Sequence, residues 1–301
     1  MINPMSAAKP TIVALGEILW DMFSSGPRFG GAPANFSYHA SALGASVSIL
    51  SSVGNDELGD AAIGKLRDSA IDTRFISRSE NHPTGMVNVE IDAGGHATYR
   101  FRHEEAWDHI PWTDQLQELA SSANAVCFGT LAQRHQESRS TIRKFIEATP
   151  PRTLRVLDLN LRAPFFDDEV IESSLTHANI LKLNDEELSY IARLFVNAGD
   201  EISQAQQLAK RFDLQAIAVT RGSRGGVLIR DDEVSHASSQ PTTVRDTVGA
   251  GDSFTAAVTV GFLKQMPLDD INRAACRIAE FVCSHNGATP KLPDEWLDEM
   301  F

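Results

Sequence analysis

The chain has 301 residues, 42% of them hydrophobic and 22% charged, an ordinary globular composition with enough length to bury a large core. Its 40 acidic residues against 27 basic ones give a formal net charge of -13, which excludes nucleic acid and an anionic membrane as main partners. Any anionic ligand must therefore be held by a local site.

Met1 to Pro10 lacks the apolar core of a signal peptide, and no apolar run reaches transmembrane length, so a cytoplasmic protein is expected. The run Thr11 to Leu15, ending in Gly16, reads as a buried first strand. After it, Glu17 to Asp21 and a turn-rich piece through Gly26 and Pro27 lead to Gly30 and Gly31. A helix is predicted from there to about Leu43, with Pro33 suited to its first turn. The adjacent glycines let a ligand meet backbone, where a turn alone needs only one. Val47 to Val53 is a strand and Asp56 to Ser69 a helix. Within that helix Gly59 to Leu66 nearly spells a Walker A loop. Leu66 replaces the metal-binding hydroxyl, however, and Ala61, Ala62 and Ile63 are helix formers where a phosphate cradle must be pliable.

Met86 to Ile91 and Ala97 to Phe101 alternate in polarity, and Asp92-Ala-Gly-Gly between them signals a hairpin that projects from the main sheet as a candidate lid. From Ala125 the rhythm becomes regular. Apolar runs at Ala125 to Phe128, Leu154 to Leu157, Asn179 to Leu183 and Ala216 to Val219 alternate with helical segments near Gln136 to Ala148, Asp185 to Phe195 and Ile202 to Phe212. This predicts an α/β fold with a doubly wound, mostly parallel sheet flanked by helices, which binds ligands at the carboxyl ends of its strands. Polar residues gather there: Asp158, Asn160 and Arg162; Lys182, Asn184 and Glu187; Thr220, Arg221, Gly222 and Gly225. Gly225 to Ile229 and Val234 to Ala237 read as an antiparallel pair, and a last helix runs from Leu268 to His285. Cys276 and Cys283 on that helix lie roughly 10 Å apart along its axis, too far to bridge, and reduced thiols are expected.

The stretch Thr243 to Leu263 carries the chemistry. Gly249, Ala250 and Gly251 precede a run with Phe254, Val258 and Phe262 on one face, which places free amides at a helix N-terminus. Amides so placed, with the helix dipole behind them, hold a phosphate or the charge developing on one. Asp252 within that site would repel a phosphate that merely binds. It fits a base that takes the proton of a hydroxyl attacking phosphorus, and the competing reading is an acid favoured by the dipole in a first turn. A dinucleotide-binding oxidoreductase fails, because Phe254 stands where the third glycine belongs and Asp252 would face a pyrophosphate.

Two blocks, Gly30-Gly31-Ala32-Pro33-Ala34-Asn35-Phe36-Ser37 with Gly44 and Gly54 following, and Asp246-Thr247-Val248-Gly249-Ala250-Gly251-Asp252-Ser253-Phe254-Thr255-Ala256-Ala257, resemble the paired signatures of the ribokinase-like (PfkB) sugar kinases. Glu17 to Asp21 and Phe128 to Arg134 are similar to bacterial fructokinases in particular. The resemblance implies a single ribokinase-like domain over 1–301, with a small β-sheet lid made of segments about 17–31 and 86–101. It implies ATP and Mg2+, a potassium ion as activator, and a small sugar as substrate, D-fructose before ribose, 2-keto-3-deoxygluconate or a nucleoside. A sensor without turnover is the alternative of a different class. Carried onto this chain, it makes Asp252 the general base and Gly249, Ala250 and Gly251 the anion hole. Asp21, Gly30, Gly31, Asn35 and Arg162 fall to the sugar, and Asn184, Thr220, Gly222 and Gly225 to the nucleotide side. Glu187 falls to magnesium and Asp246 to the monovalent cation. A homodimer through the lid is expected, and the pair Gln133-Arg134, where many sugar kinases carry another polar residue, puts sugar contacts from that strand in question.

Overall fold

The structure is a computed structural model that describes residues 9–91, 97–240 and 242–301. Thirteen strands are present among these residues. They are β1 (Thr11–Leu15), β2 (Leu19–Phe23), β3 (Gly26–Gly30), β4 (Ser46–Gly54), β5 (Ile76–Ser79), β6 (Gly85–Ile91), β7 (Ala97–Phe101), β8 (Ala125–Phe128), β9 (Leu154–Asp158), β10 (Ile180–Asn184), β11 (Ala216–Thr220), β12 (Gly226–Arg230) and β13 (Glu233–Ala237). The α-helices are α1 (Ala32–Ala42), α2 (Glu57–Asp68), α3 (Asp114–Ser122), α4 (Gln136–Glu147), α5 (Asp168–His177), α6 (Asp185–Phe195), α7 (Glu201–Phe212), α8 (Ala250–Leu263), α9 (Leu268–Cys283) and α10 (Glu295–Met300).

Nine strands form one sheet in the order β13-β12-β11-β10-β9-β8-β1-β4-β5. Every neighbouring pair is parallel except those that β12 makes with β11 and with β13. Because successive side chains of a strand point to opposite faces, Ile12 and Ala14 enter one core with residues of α1, α2, α8 and α9, while Val13 and Leu15 enter the other with residues of α3 to α7. The chain leaves β1 on one side to make β4 and β5 and returns on the other to make β8, so the order reverses at β1. A crevice opens at such a reversal, beyond the carboxyl ends of the strands.

A second sheet, in the order β3-β2-β6-β7, stands off that end. The segment 17–31, assigned above to the small sheet by the resemblance although its piece through Gly26 and Pro27 reads as turn-rich, supplies two of its strands, and the parallel pairing of Leu19 with Gly85 and Asp21 with Val87 joins them to the predicted hairpin. The Asp92-Ala-Gly-Gly turn of that hairpin lies outside the described residues. Strand β5 and helices α3 and α5 were not predicted. In β5, Ile-Ser-Arg-Ser is an edge strand with one buried side chain, too polar to read as a strand. The near-Walker segment lies within α2, where Asp56 caps the helix by accepting from the Gly59 N–H at 2.8 Å.

Candidate active site

Two cavities meet at the N-terminus of α8. One, of about 280 Å³, lies between the two sheets and is bounded by Glu17, Asp21, Asn35, Phe101, Arg162 and Asp252, among others. The other, of about 540 Å³, runs past Thr220, Gly222 and Gly225 to Phe254, Ala279 and Cys283. Thr247 and Gly251 border both.

Local sequence explains why the helix starts where two ligands could meet. Gly249 takes a left-handed φ of 81°, and a Cβ there would come within 2.5 Å of the Ala288 carbonyl oxygen. Only glycine fits. Ser253 is the residue whose N–H closes the first turn, onto the Gly249 carbonyl at 2.8 Å, while the Ala250 N–H donates to the Thr247 carbonyl at 3.4 Å, so Gly251 and Asp252 supply the N-terminal amides that precede the helical ladder. Asp252 is held by Asn35, whose Nδ2 donates to its Oδ2 at 2.8 Å. Asn35 in turn belongs to the first turn of α1, which Gly31 opens with φ 104° and with space for no Cβ against the Glu17 carbonyl, 2.6 Å away. The two glycine-containing signatures, more than 200 positions apart, are thus joined through one carboxylate.

The smaller cavity is rich in acids. Burial is the main cause that pushes Asp252 up to about 6, with Asp158 adding to it, against the Asn35 hydrogen bond and the Lys182 and Arg162 charges. This is higher than an ordinary aspartate. Burial likewise lifts Glu17 to about 7 and Asp21 to about 6, the latter against Arg162 and Arg28. Asp21 occupies its strand opposite Arg28, and a Cβ on Gly30 would come within 2.8 Å of its carboxylate. Behind the α8 terminus, Asp158 accepts from Lys182 Nζ at 3.0 Å and from Thr255 Oγ1 at 2.7 Å, tying β9, β10 and α8 together. Burial would strip the proton from Lys182, but the carboxylates of Asp158, Glu187 and Asp252 outweigh it and keep the ammonium charged.

Asn184 and Glu187 form a capping box at the start of α6: each accepts the other's backbone N–H, at 2.8 and 2.9 Å. The second oxygen of Glu187 accepts from Leu161 N at 2.7 Å. Asp246 ties two loops by accepting from Val248 N and Gly287 N, both at 3.1 Å, and Arg28 of the small sheet reaches it at 3.5 Å. The pair Gln133-Arg134 points elsewhere. Gln133 Nε2 donates to Gly129 O and Ser174 Oγ, and Arg134 clamps Asp108 with two 2.7 Å bonds while lying 3.9 Å over Trp107.

Among the polar residues on this surface, Glu17 and Thr255 were read as members of family-like blocks but given no role, and Asp158 and Lys182 were noted only as strand-end residues. Glu17 follows Gly16 directly after the first strand, so its place beyond a strand's carboxyl end was the available signal. The signature marked Thr255, but nothing local named Asp158 as its partner, because that partner is 97 positions away. In the larger cavity the walls Cys276, Ala279, Glu280 and Cys283 come from one face of α9, in a region (279–288) that the resemblance associates with the purine without assigning residues.

The chain is similar to several known proteins along most of its length. An uncharacterized sugar kinase of Pyrococcus horikoshii is 31% identical over 309 residues, which cover 95% of this chain and 94% of that protein. Its crystal structure superposes with a TM-score of 0.83 over 96% of this chain and 97% of the other, and its complex with ATP with 0.80 over 92% and 94%. An ATP-dependent 6-phosphofructokinase of Thermoanaerobacterium thermosaccharolyticum is 27% identical over 95% of this chain and 92% of its own length. A fructokinase of Salmonella typhimurium is 27% identical over 80% and 79%. With a sequence model of the pfkB family carbohydrate kinases matching residues 19–295, nearly the whole length that builds both sheets and both cavities, the chain belongs to that family.

Proposed function

We propose that the protein transfers the terminal phosphoryl group of ATP to a hydroxyl of a small sugar, D-fructose before others, giving fructose 6-phosphate. The observation that carries this reading is the Asp252–Asn35 pair at the junction of two cavities, beside the N-terminus of α8. ATP enters the larger cavity, its base toward Ala279 and Cys283 and its phosphates toward Gly251. The sugar enters the smaller one, where Asp21, Asn35 and the Gly31 backbone receive its hydroxyls and Arg162 offsets the acids. A neutral polyol, rich in donors, suits walls made of Glu17, Asp21 and Asp252.

In the transfer, the sugar hydroxyl oxygen forms a bond to the γ-phosphorus as the bond from that phosphorus to the bridging oxygen of ADP breaks, and the hydroxyl proton passes to Asp252. The transition state is loose, so the carboxylate chiefly orients the hydroxyl and takes the proton late. The amides of Gly249 to Asp252 stabilise the charge on the moving phosphoryl group, and preorganised donors of this kind cost no rearrangement during the step.

Both oxygens of Glu187 already accept a backbone N–H, so this residue fits magnesium through the water of the ion's hydration shell, which Mg2+ gives up reluctantly. Magnesium, when bound with ATP, would offset phosphate charge; Asn184 keeps Glu187 in place, and Thr220, Gly222 and Gly225 line the nucleotide side. Asp246, which organises the loops at 248 and 287, is the candidate neighbour of an activating potassium ion.

The test is sugar-dependent ADP release with Mg-ATP across D-fructose, D-ribose, 2-keto-3-deoxygluconate, a nucleoside and fructose 6-phosphate. D-Fructose should give the highest kcat/KM. A higher value for another sugar would replace fructose and leave the kinase reading intact. No sugar-dependent ADP release from any of them would favour a sensor without turnover.

A further inference from the structure

Arg134 points away from the active site, yet it ties one end of the small sheet to the large one. It follows the short turn Leu131–Gln133 beyond β8, and its side chain is only 6% exposed. Its Nε and Nη2 donate to the two carboxylate oxygens of Asp108, each at 2.7 Å, and Nη2 also donates to the Arg102 carbonyl at 2.7 Å. Arg102 directly follows β7. The planar fork of N–H groups lets one cation serve a carboxylate and a carbonyl together.

The neighbouring strand is fastened to the same place. At the start of β6, Met86 N donates to Glu105 Oε1 at 2.6 Å, and just before it the Pro83 carbonyl accepts from Ala106 N at 2.8 Å. Trp107, fully buried, packs so closely on Gly85 that a Cβ there would come within 2.5 Å of its Nε1, and Arg134 lies 3.9 Å over the same indole. Strands β6 and β7 are antiparallel with Val87 opposite Phe101, so the start of one and the end of the other are adjacent feet of the sheet. Both feet stand on residues 105–108 and Arg134.

The same guanidinium reaches the smaller cavity through an aromatic pair. Its carbon lies 4.8 Å over the ring of Phe165, and Phe165 meets Phe101 edge to face, with centroids 5.5 Å apart and planes at 72°. Phe101 borders the smaller cavity, and so does Arg162, whose carbonyl accepts from Phe165 N at 2.8 Å. A cation over a ring and an edge-to-face pair both favour particular geometries, so a displacement of Arg134 is passed to both walls.

We propose that Arg134 is a positioning residue for the sugar: it fixes the feet of β6 and β7 and, through Phe165, sets Phe101 and Arg162 at the smaller cavity. This rests on the reading of that cavity as the sugar site. Lysine cannot take its place, because an ammonium offers neither a fork for Asp108 and the Arg102 carbonyl nor a plane to lie over Phe165. None of these residues is among the walls of the larger cavity, so the nucleotide should be spared.

The test joins steady-state kinetics to hydrogen exchange. Arg134→Lys should raise the KM of the preferred sugar at least about tenfold and leave the KM of ATP within about twofold, since a misplacement of about 1 Å can cost about 10²-fold. Phe165→Leu, which spares the Asp108 pair, should give the same split, and Phe165→Tyr should restore most of the sugar affinity. Arg143→Gln, which breaks an ion pair between α4 and α5, should change neither constant. Without any sugar, the amides of 85–87 and 101–102 in Arg134→Lys should exchange at least about tenfold faster than in wild type, with β8 to β11 unchanged, as local opening requires. Circular dichroism and melting establish that each variant is folded; if Arg134→Lys is not, the two Phe165 variants decide alone. Wild-type exchange at both feet in folded Arg134→Lys overturns the clamp. Faster exchange with an unchanged sugar KM, or equal rises for sugar and ATP, overturns the positioning role. A wild type that phosphorylates no sugar overturns the kinase reading and with it the role toward sugar, whereas the exchange experiment needs no sugar and decides the clamp separately.

Discussion

Asp252 is where the chemistry of this chain can be examined one atom at a time. Asp252→Asn keeps the shape and the contact with Asn35 but removes the basic oxygen, and general bases contribute about 10²- to 10⁴-fold. We expect kcat to fall by about that factor, while sugar and ATP affinities measured by calorimetry stay within about tenfold of wild type. Turnover near the wild-type rate would return Asp252 to the role of a first-turn acid. The pH dependence follows from its environment. Burial raises this carboxyl to about 6, and a base must be ionised to act, so activity rises with pH through that value and is lost as pH falls below it. The acid limb of kcat/KM should therefore lie near 6 rather than near 4. Glu17 and Asp21, lifted to about 7 and 6 beside it, make that limb a property of the group of acids. An acid limb at about 4 in the wild-type profile would show that proton transfer does not run through this group.

At the scale of the element, α8 is the part whose start must be placed most closely. Its first turn is packed against the loop at Ala288, which α1 holds from the other side. Burial pushes His39 down to about 4, and the neutral ring donates through Nε2 to the Ala288 carbonyl at 2.9 Å. The same carbonyl is what a Cβ on Gly249 would strike. Gly249→Ala therefore has to move the helix start or the loop, and it strains a left-handed backbone as well. Misplacing one preorganised donor costs about 10²- to 10³-fold in kcat, so a fall of at least about 10²-fold is expected for Gly249→Ala in steady-state assays. A variant with wild-type kcat would remove the α8 amides from the mechanism. Helix α6 begins by a different device, the Asn184–Glu187 capping box. That motif was legible as Asn-x-x-Glu, but its first effect is to finish a helix, since the same atoms that could face a magnesium shell are already bonded to backbone.

For the molecule as a whole, the question is what the small sheet does over the large one. It is attached through β1 to β2 and through the connections around β6 and β7, and it meets the main body at Arg28–Asp246 and at Trp20, whose Nε1 donates to Leu58 O at 3.1 Å. Val87 and Phe101 of this sheet border the smaller cavity. If the sheet closes over the sugar and excludes water, replacing 86–101 by a short glycine linker should raise ATP hydrolysis relative to sugar phosphorylation. An unchanged ratio would assign the sheet another task, contact with a second copy of the chain being the first to examine by sedimentation.

What the sequence determined by itself was periodic or local. Alternating apolar runs and amphipathic stretches specified β8 to β11 and most helices, because hydrophobic spacing directly reflects which face is buried. The starts of α2 and α6 were readable at Asp56 and Asp185, because the residues that begin a helix are its neighbours in the chain. The glycine blocks were readable for the same reason: a left-handed turn before a helix demands particular residues within a few positions. What only the tertiary structure decided was pairing at long range. Strands β2 and β3 were assigned to the small sheet only through the family resemblance, since Gly26, Pro27 and Gly30 are locally turn residues and β6, the parallel partner of β2, lies some sixty positions on. The Asn35–Asp252 bond spans 217 positions and the Asp158–Thr255 bond 97, and no local pattern encodes either. The raised pKa values of Glu17, Asp21 and Asp252 belong to the same category. Desolvation and neighbouring charge exist only once the chain has closed around the cavity, so the sequence could name the carboxylates while the fold set their chemistry.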